Sequence, residues 1–311
     1  MVRSGGLLVG LGFAGVLLIS LGTGMAETMA SPAAESAEHK FHEHPRHLKL
    51  ASDGPLGKFD RQQLQRGFQV YKEVCSACHG LSLVAFRDLH ALGYEEPEVK
   101  AIADQWATEV PSINPETGEA ATRKAIPSDR FPSPYANETA ARAANNNALP
   151  PDLSLITKAR EGGAAYVYSL LTGYKNAATY RNSHGEGVPA ANRPPQGVYF
   201  NPYFANLNFA MPPPLTAEGQ VTYADGTKST VDQMAQDVSA FLVWTAEPKL
   251  ENRHRSGLAV VLFLLVATIL GYFAYREIWA EAKRKVRVTG ALDPKNQAKS
   301  RRAKAKQGIK G

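Results

Sequence analysis

Cys75-Ser76-Ala77-Cys78-His79 is the stretch on which the reading of this chain turns. Two thiols three residues apart, followed at once by an imidazole, form the Cys-x-x-Cys-His pattern by which haem is attached covalently to protein. On a helix the two sulfurs, and the imidazole at i+4 from Cys75, share one face. That face lets the sulfurs meet the two vinyl groups of one porphyrin while His79 reaches its iron. A chance match, a zinc site and dithiol redox chemistry are the rival readings. These are the only two cysteines in the sequence, so no further thiols can complete a four-cysteine zinc site.

Working outward, the chain has 311 residues with 20 prolines and 26 glycines, which suits a loop-rich body better than a compact bundle. The formal charge of +6 is unevenly spread. From Arg276 to the end there are twelve Lys/Arg against three Asp/Glu, whereas Glu27 to Tyr275 holds 22 basic and 26 acidic residues. A mildly acidic body with a basic tail points away from nucleic acid and reads as a topology signal. Residues 1–26 have the pattern of an export leader: Arg3, an apolar run from Gly5 to Leu21, and Gly24-Met25-Ala26 as a small-x-small cleavage site. A retained membrane helix is the rival for that segment. Residues 257–275, GLAVVLFLLVATILGYFAY, are uncharged throughout. As a helix they would be about 28 Å long, close to a bilayer core of about 30 Å. Arg253, His254 and Arg255 stop the run on one side and Arg276, Lys283, Arg284, Lys285 and Arg287 on the other. Tyr272, Tyr275 and Trp279 suit an interface. The expected organisation is therefore a leader (1–26), an exported haem domain (27–256), a transmembrane anchor (257–275) and a basic cytoplasmic tail (276–311). The end of the tail, from Asn296 to Lys306, reads as disordered and near anionic lipid.

Inside the body, His39, His42, His44 and His47 lie in a polar segment that Pro45 interrupts. It reads as a flexible arm, with metal binding as the alternative. Asp60-Arg-Gln-Gln63 is a capping box that starts a helix with Leu64, Phe68, Tyr71 and Cys75 on one stripe, so the haem motif ends a helix. Pro97 opens a second helix through Val99, Ile102, Ala103, Trp106 and Val110. Residues 111–135 read as loop. Asn137 caps a short helix through Arg142, and Gly162 to Leu171 makes another. Residues 174–229 lack a clear period, and Thr230-Val-Asp-Gln233 is a second capping box for a helix that runs to Pro248. The fold class is mainly α: a cytochrome c-like helical haem domain with long loops, plus one C-terminal transmembrane helix.

The ligand opposite His79 decides between electron transfer and open-site chemistry. Met1, Met25 and Met29 lie in or beside the leader, which leaves Met211 and Met234 in the body. Met234 sits on the apolar stripe of a capped helix and reads as core filler. Met211 precedes Pro212-Pro213-Pro214, a poor helix or strand but a stiff mount for a thioether. Tyr199, Phe200, Tyr203, Phe204 and Phe209 stand ready to wall a haem edge. Met211 is favoured over Met234, His184 and His90, which remain alternatives. A six-coordinate iron has no free position for substrate, which argues for electron transfer and against catalysis by this chain alone.

These residues resemble the cytochrome c1 family, the haem subunits of ubiquinol–cytochrome c reductase (the cytochrome bc1 complex). The likeness runs through Gln65-Arg-Gly-Phe-Gln-Val-Tyr-Lys-Glu-Val-Cys-Ser-Ala-Cys-His79, Phe86-Arg-Asp-Leu89, Ala140 to Ser154, Tyr166 to Tyr174, Tyr199 to Phe204, Met211-Pro-Pro-Pro and Phe241 to Arg255. It covers about residues 50–275. The resemblance implies one haem c on Cys75 and Cys78, with His79 and Met211 as axial ligands. It implies Arg142 as a propionate partner and the carbonyls of Pro150 and Pro151, Pro151 above all, as acceptors for the His79 ring N–H. Asn147 stands where the family pattern has glycine, and asparagine tolerates the left-handed backbone. With no further cysteines, no disulfide braces the domain. The implied partners are cytochrome b, the Rieske iron–sulfur protein, a soluble cytochrome c as electron acceptor, and the membrane. Location is expected in a bacterial inner membrane, single-pass, with the haem domain on the periplasmic side. Glu95-Glu96-Pro97-Glu98 reads equally as an acidic docking contact and as a solvated helix start. A free-standing membrane-anchored electron carrier and, behind it, a haem-c sensor or enzyme are the other functional classes.

Overall fold

Asp60 begins the helix that carries the haem motif, because its carboxylate accepts from the Gln62 and Gln63 amides (3.0 and 3.3 Å) and so satisfies two of the free donors at a helix start. In this computed structural model, which describes residues 2–30, 35–285 and 293–306, the chain divides into two units. One comprises residues up to 53 together with 59–248; the other comprises 54–58 and 249 onward.

The first unit runs in order through α1 (Val2–Ala30), α2 (Ala37–Phe41), α3 (Arg61–Val70), a π-helical turn (Tyr71–Cys75), a 3-10 helix (Phe86–Leu92) and α4 (Glu96–Asp104). Then come the antiparallel pair β1 (Val110–Ile113) and β2 (Ala120–Arg123), α5 (Glu138–Ala144), α6 (Ile156–Ala159) and α7 (Gly163–Thr172). A second, two-residue antiparallel pair, β3 (Tyr199–Phe200) and β4 (Asn208–Phe209), precedes α8 (Val231–Ala246). Helix dominates, as the capping boxes and periodicity imply, and long irregular connections link the helices.

The core is organised on the crossing of α3 and α8. Leu64, Phe68 and Tyr71 of the α3 stripe are buried against Met234, Val238 and Phe241 of α8, and the Phe68 and Phe241 rings lie 5.7 Å apart. The approach is close because Gly67 faces α8: a Cβ there would meet the Asp237 carbonyl oxygen at 2.0 Å. Beside it the Arg66 guanidinium reaches across to the fully buried Asp237 (2.9 Å) and to Asp225 (2.7 Å). Trp106, Phe86 and Phe131 extend this aromatic core toward Tyr71. Thr230 caps α8 by accepting from the Gln233 amide (3.0 Å). The expected reciprocal bond is replaced, because the Gln233 side chain turns to Asp237 (2.9 Å).

Three expectations are corrected. The helix from Pro97 ends at Asp104 rather than at Val110. Trp106 turns into the core, and Val110 joins a strand whose pairing with Arg123 makes a hairpin inside the segment read as loop. The histidine segment is no free arm. Phe41 is buried with Ala177, Val188, Phe200 and Leu207, Glu43 N–H donates to Pro202 O (2.8 Å), and Arg46 N–H donates to Ser169 Oγ (2.8 Å). That ties the segment to the domain as a strap. The third correction concerns the basic tail: its expected disordered stretch forms α10 (Pro294–Lys306) in the second unit. At the left-handed turn after α5, Asn147 (φ 63°) takes the conformation expected of it, and Asn146 (φ 50°) shares it.

The second unit holds α9 (Leu250–Lys285) and α10. The apolar part of α9, with Leu258 to Ile278 largely exposed, is long and apolar enough to cross a membrane, as is Gly5–Ala30 of α1. Helix α9 starts seven residues before the anchor boundary read from hydropathy, and α1 continues through the expected cleavage site at Ala26.

Candidate functional site

The cysteines sit where α3 changes its winding. After Val70 the chain passes through a π turn, in which Ser76 N–H donates five residues back to Tyr71 O (2.8 Å); such insertions are frequent at functional sites. The turn is followed by two bonds to one carbonyl, Cys78 N–H (3.1 Å) and His79 N–H (2.9 Å) both donating to Cys75 O. The motif therefore closes as a single compact turn with both thiols free. The buried Tyr71 hydroxyl donates to His79 O (2.9 Å) and fastens its far end.

His79 Nδ1 lies 2.7 Å from Pro151 O. Since a carbonyl only accepts, this contact places the ring proton on Nδ1 and leaves Nε2 as the lone-pair nitrogen. Of the two expected acceptors it is Pro151 that serves. The Pro150-Pro151 loop is itself held by Asp152, whose carboxylate accepts from the amides of Ser82 and Ser154 (2.8 Å each), while Leu153 N–H donates to Gly80 O (2.9 Å). Burial lowers the His79 pKa against the opposing effect of the Pro151 bond, which favours the neutral imidazole a metal needs. Burial, helped by Cys78, pushes the Cys75 thiol up to about 12.

Met211 is half-buried and packs against the same core that Cys75 borders. Its main-chain carbonyl accepts from the Tyr174 hydroxyl (3.0 Å). Tyr174 in turn stacks on Phe209 and meets Tyr199 edge-on, and Phe204 stacks on Phe209 at 4.5 Å. Phe200 and Tyr203, also named from the sequence, are buried away in the domain. Met234 is fully buried core, His184 is exposed, and exposed His90 gives Nδ1 to Tyr94 O (2.8 Å). Arg142, on exposed α5, uses one N–H on Asn147 O (3.1 Å) and has no acid partner among the described residues. At the same turn the Asn145 amide donates to the Tyr135 hydroxyl (2.9 Å). Arg160, not singled out from the sequence, is a second exposed cation, and it donates to Ala159 O (3.1 Å). Glu98 caps its own helix by accepting from Glu95 N–H (2.7 Å), so the acidic run serves at least as a helix start.

These features fit a covalently held haem. Two thiols outside any disulfide precede an imidazole whose Nε2 has no hydrogen-bond partner among the described residues. Apolar side chains that a soluble domain would bury lie open beside both loops: Leu149 is 37 % exposed, Leu155 45 % and Tyr199 39 %. No group of three or more His, Cys, Asp or Glu able to hold a metal occurs among the described residues, which leaves the zinc reading, like one at the strap histidines, without ligands.

With that geometry in place, comparison with known proteins is informative. Residues 50–282 match the model of the Cytochrome C1 family. The chain is 46 % identical over 237 residues to cytochrome c1 of Rhodospirillum rubrum, covering 74 % of this chain and 85 % of that protein. It is 41 % identical over 258 residues to the mitochondrial cytochrome c1 heme protein of Saccharomyces cerevisiae, covering 83 % and 79 %. With the cytochrome b/c1 protein of Bradyrhizobium diazoefficiens it shares 44 % identity over 245 residues, 75 % of this chain but only 35 % of that longer protein.

Proposed function

The chain belongs to the cytochrome c1 family and is a haem c electron-transport subunit of the bc1 complex, and from that premise we propose how its residues serve. Cys75 and Cys78 would hold the haem by thioether bonds, with His79 Nε2 and the Met211 sulfur as the ligands to its iron. Pro151 O fixes the His79 tautomer and ring orientation, raising its basicity as a ligand. Arg142 supplies the charge-assisted partner for a propionate. Bound there, the haem supplies a one-electron centre whose potential a His/Met pair raises. The observation that carries this reading is the 2.7 Å Nδ1–Pro151 contact, which leaves a neutral, unpartnered Nε2 on the segment that bears both thiols.

In the intact complex the subunit takes one electron at a time from the Rieske iron–sulfur protein and passes it to a soluble cytochrome c. Cytochrome b is the membrane partner, and the name cytochrome b/c1 of the Bradyrhizobium relative supports that pairing. The basic residues beyond the apolar run 257–275 favour a cytoplasmic tail and a periplasmic haem domain in a bacterial inner membrane, with 1–26 removed as a leader, 257–275 as the anchor and 276–311 as the tail. Mild detergent extraction is expected to bring the chain down with cytochrome b and the Rieske protein, and the purified complex to reduce soluble cytochrome c with quinol. Isolation of the chain alone, with full activity toward a soluble donor, would point instead to a free-standing carrier. Sequencing the mature N-terminus and digesting sealed spheroplasts with protease check the leader and the orientation. A product beginning at Met1, or a tail cut from outside, would overturn those assignments.

A further inference from the structure

Pro212, Pro213 and Pro214 follow Met211 directly and have no backbone N–H. The segment that mounts the thioether therefore cannot hold itself by its own amides, and only its carbonyls are available to be gripped. Two side chains grip them. Gln220 Nε2 donates to Pro214 O (2.8 Å), and the Tyr174 hydroxyl donates to Met211 O (3.0 Å), with Pro212 O at 3.5 Å. Among the described residues the Met211 carbonyl has no other donor.

Tyr174 is well placed to act as a fixed point. It follows Gly173, which ends α7 so tightly against Tyr203 that a Cβ at 173 would meet that ring at 2.4 Å. Its own ring stacks on Phe209 at 6.2 Å and 25°, two residues before Met211 in the chain. One side chain thus holds the approach to Met211 through its ring and Met211 itself through its hydroxyl. At the thiol motif the Tyr71 hydroxyl likewise donates to a main-chain carbonyl, His79 O (2.9 Å).

We propose that Tyr174 is a positioning residue whose hydroxyl holds Met211 in place as an iron ligand. The proposal rests on Met211 being that ligand. Removing the hydroxyl while keeping the ring, in Tyr174→Phe, leaves the stack and frees the carbonyl. A hydrogen bond of ordinary net strength corresponds to about a tenfold change in an equilibrium. The haem-loaded full-length chain in detergent is therefore expected to bind added imidazole about tenfold more tightly in the ferric state, because the competing thioether is held less firmly. Its far-red charge-transfer band, the signature of methionine on ferric haem, is expected to weaken. 4-Aminophenylalanine at 174, which restores a donor, should return both readings to those of the parent.

A Tyr174→Phe protein with unchanged imidazole affinity and an undiminished band would overturn the proposal. So would one that accumulates without haem or loses its far-UV circular dichroism, since the hydroxyl would then serve folding instead of the ligand mount. Met211→Leu separates the two layers of inference. If it keeps the band, Met211 is not the ligand and the underlying reading fails. If it abolishes the band while Tyr174→Phe spares it, only the role of Tyr174 fails.

Discussion

Replacing Gly67 by alanine tests the contact that carries the Cys75–His79 segment. The added Cβ would lie 2.0 Å from the Asp237 carbonyl oxygen and 2.7 Å from Phe241 Cβ. Neither obstacle can rotate aside, since one is α8 backbone and the other the root of a fully buried side chain. Restoring a separation of about 3.5 Å to the oxygen requires the helices to part by about 1.5 Å along that line. A gap of about 0.5–1 Å already forfeits about a quarter to a half of the dispersion energy across a contact. Overpacking costs about 1–3 kcal/mol, and two backbones that must move together belong at the upper end. The better helix propensity of alanine returns about 1 kcal/mol, leaving a net loss of about 2 kcal/mol. For a domain of this size that corresponds to a fall in Tm of about 4–8 °C. Thermal melts of the haem-loaded, full-length protein in detergent, followed by far-UV circular dichroism, read the shift. Gly271→Ala in α9, where a Cβ meets nothing within 4 Å, is the control and should melt with the parent. A Gly67→Ala protein as stable as the parent would show that α3 and α8 do not need their close crossing.

Two further outcomes follow from charges in the same domain. Asp237 is fully buried and receives Arg66 Nε (2.9 Å) and Gln233 Nε2 (2.9 Å), so Asp237→Asn leaves the guanidinium without its buried counter-charge and should cost about 3 kcal/mol. A shift in the urea midpoint worth less than about 1 kcal/mol would mean that Asp225 suffices as its partner. The Arg123 guanidinium beside Asp129, joined by the Ile126 amide, holds that carboxyl below its usual range. Because its folded pKa is depressed, its contribution to stability is present above the unfolded value of about 4 and is lost as pH falls through the folded one. Asp129→Asn should therefore be less stable than the parent at pH 7, with the two converging in melts below pH 4; a gap that stays constant to pH 2 would contradict the sign.

What could be read from the chain and what could not divide along physical lines. The caps Asp60, Asn137 and Thr230 were legible because a side chain satisfying an amide two or three residues away is a local event. The reciprocal half of the Thr230 box was not, since Gln233 has a better partner in Asp237, four residues on and buried only by the fold. Val110 fitted both the helical stripe and the strand it joins, and the choice depended on Arg123, thirteen residues away. The histidine strap looked polar and loose because its anchors, Ser169 and Pro202, lie far along the sequence. Arg160 and Tyr174 carried no local mark at all.

The sequence alone determined the chemistry offered: two thiols and an imidazole in one turn, a methionine before three prolines, and an apolar run long enough to span a bilayer. Each is a matter of residue type and short spacing, which covalent geometry transmits unchanged. Tertiary structure alone decided how that chemistry is presented. It chose Pro151 as the acceptor that sets the His79 tautomer, Gly67 as the point where α3 meets α8, and Tyr174 as the grip on Met211. These contacts join residues 37 to 170 or more positions apart, and such pairs meet only once burial of the aromatic core has paid the entropy of bringing them together.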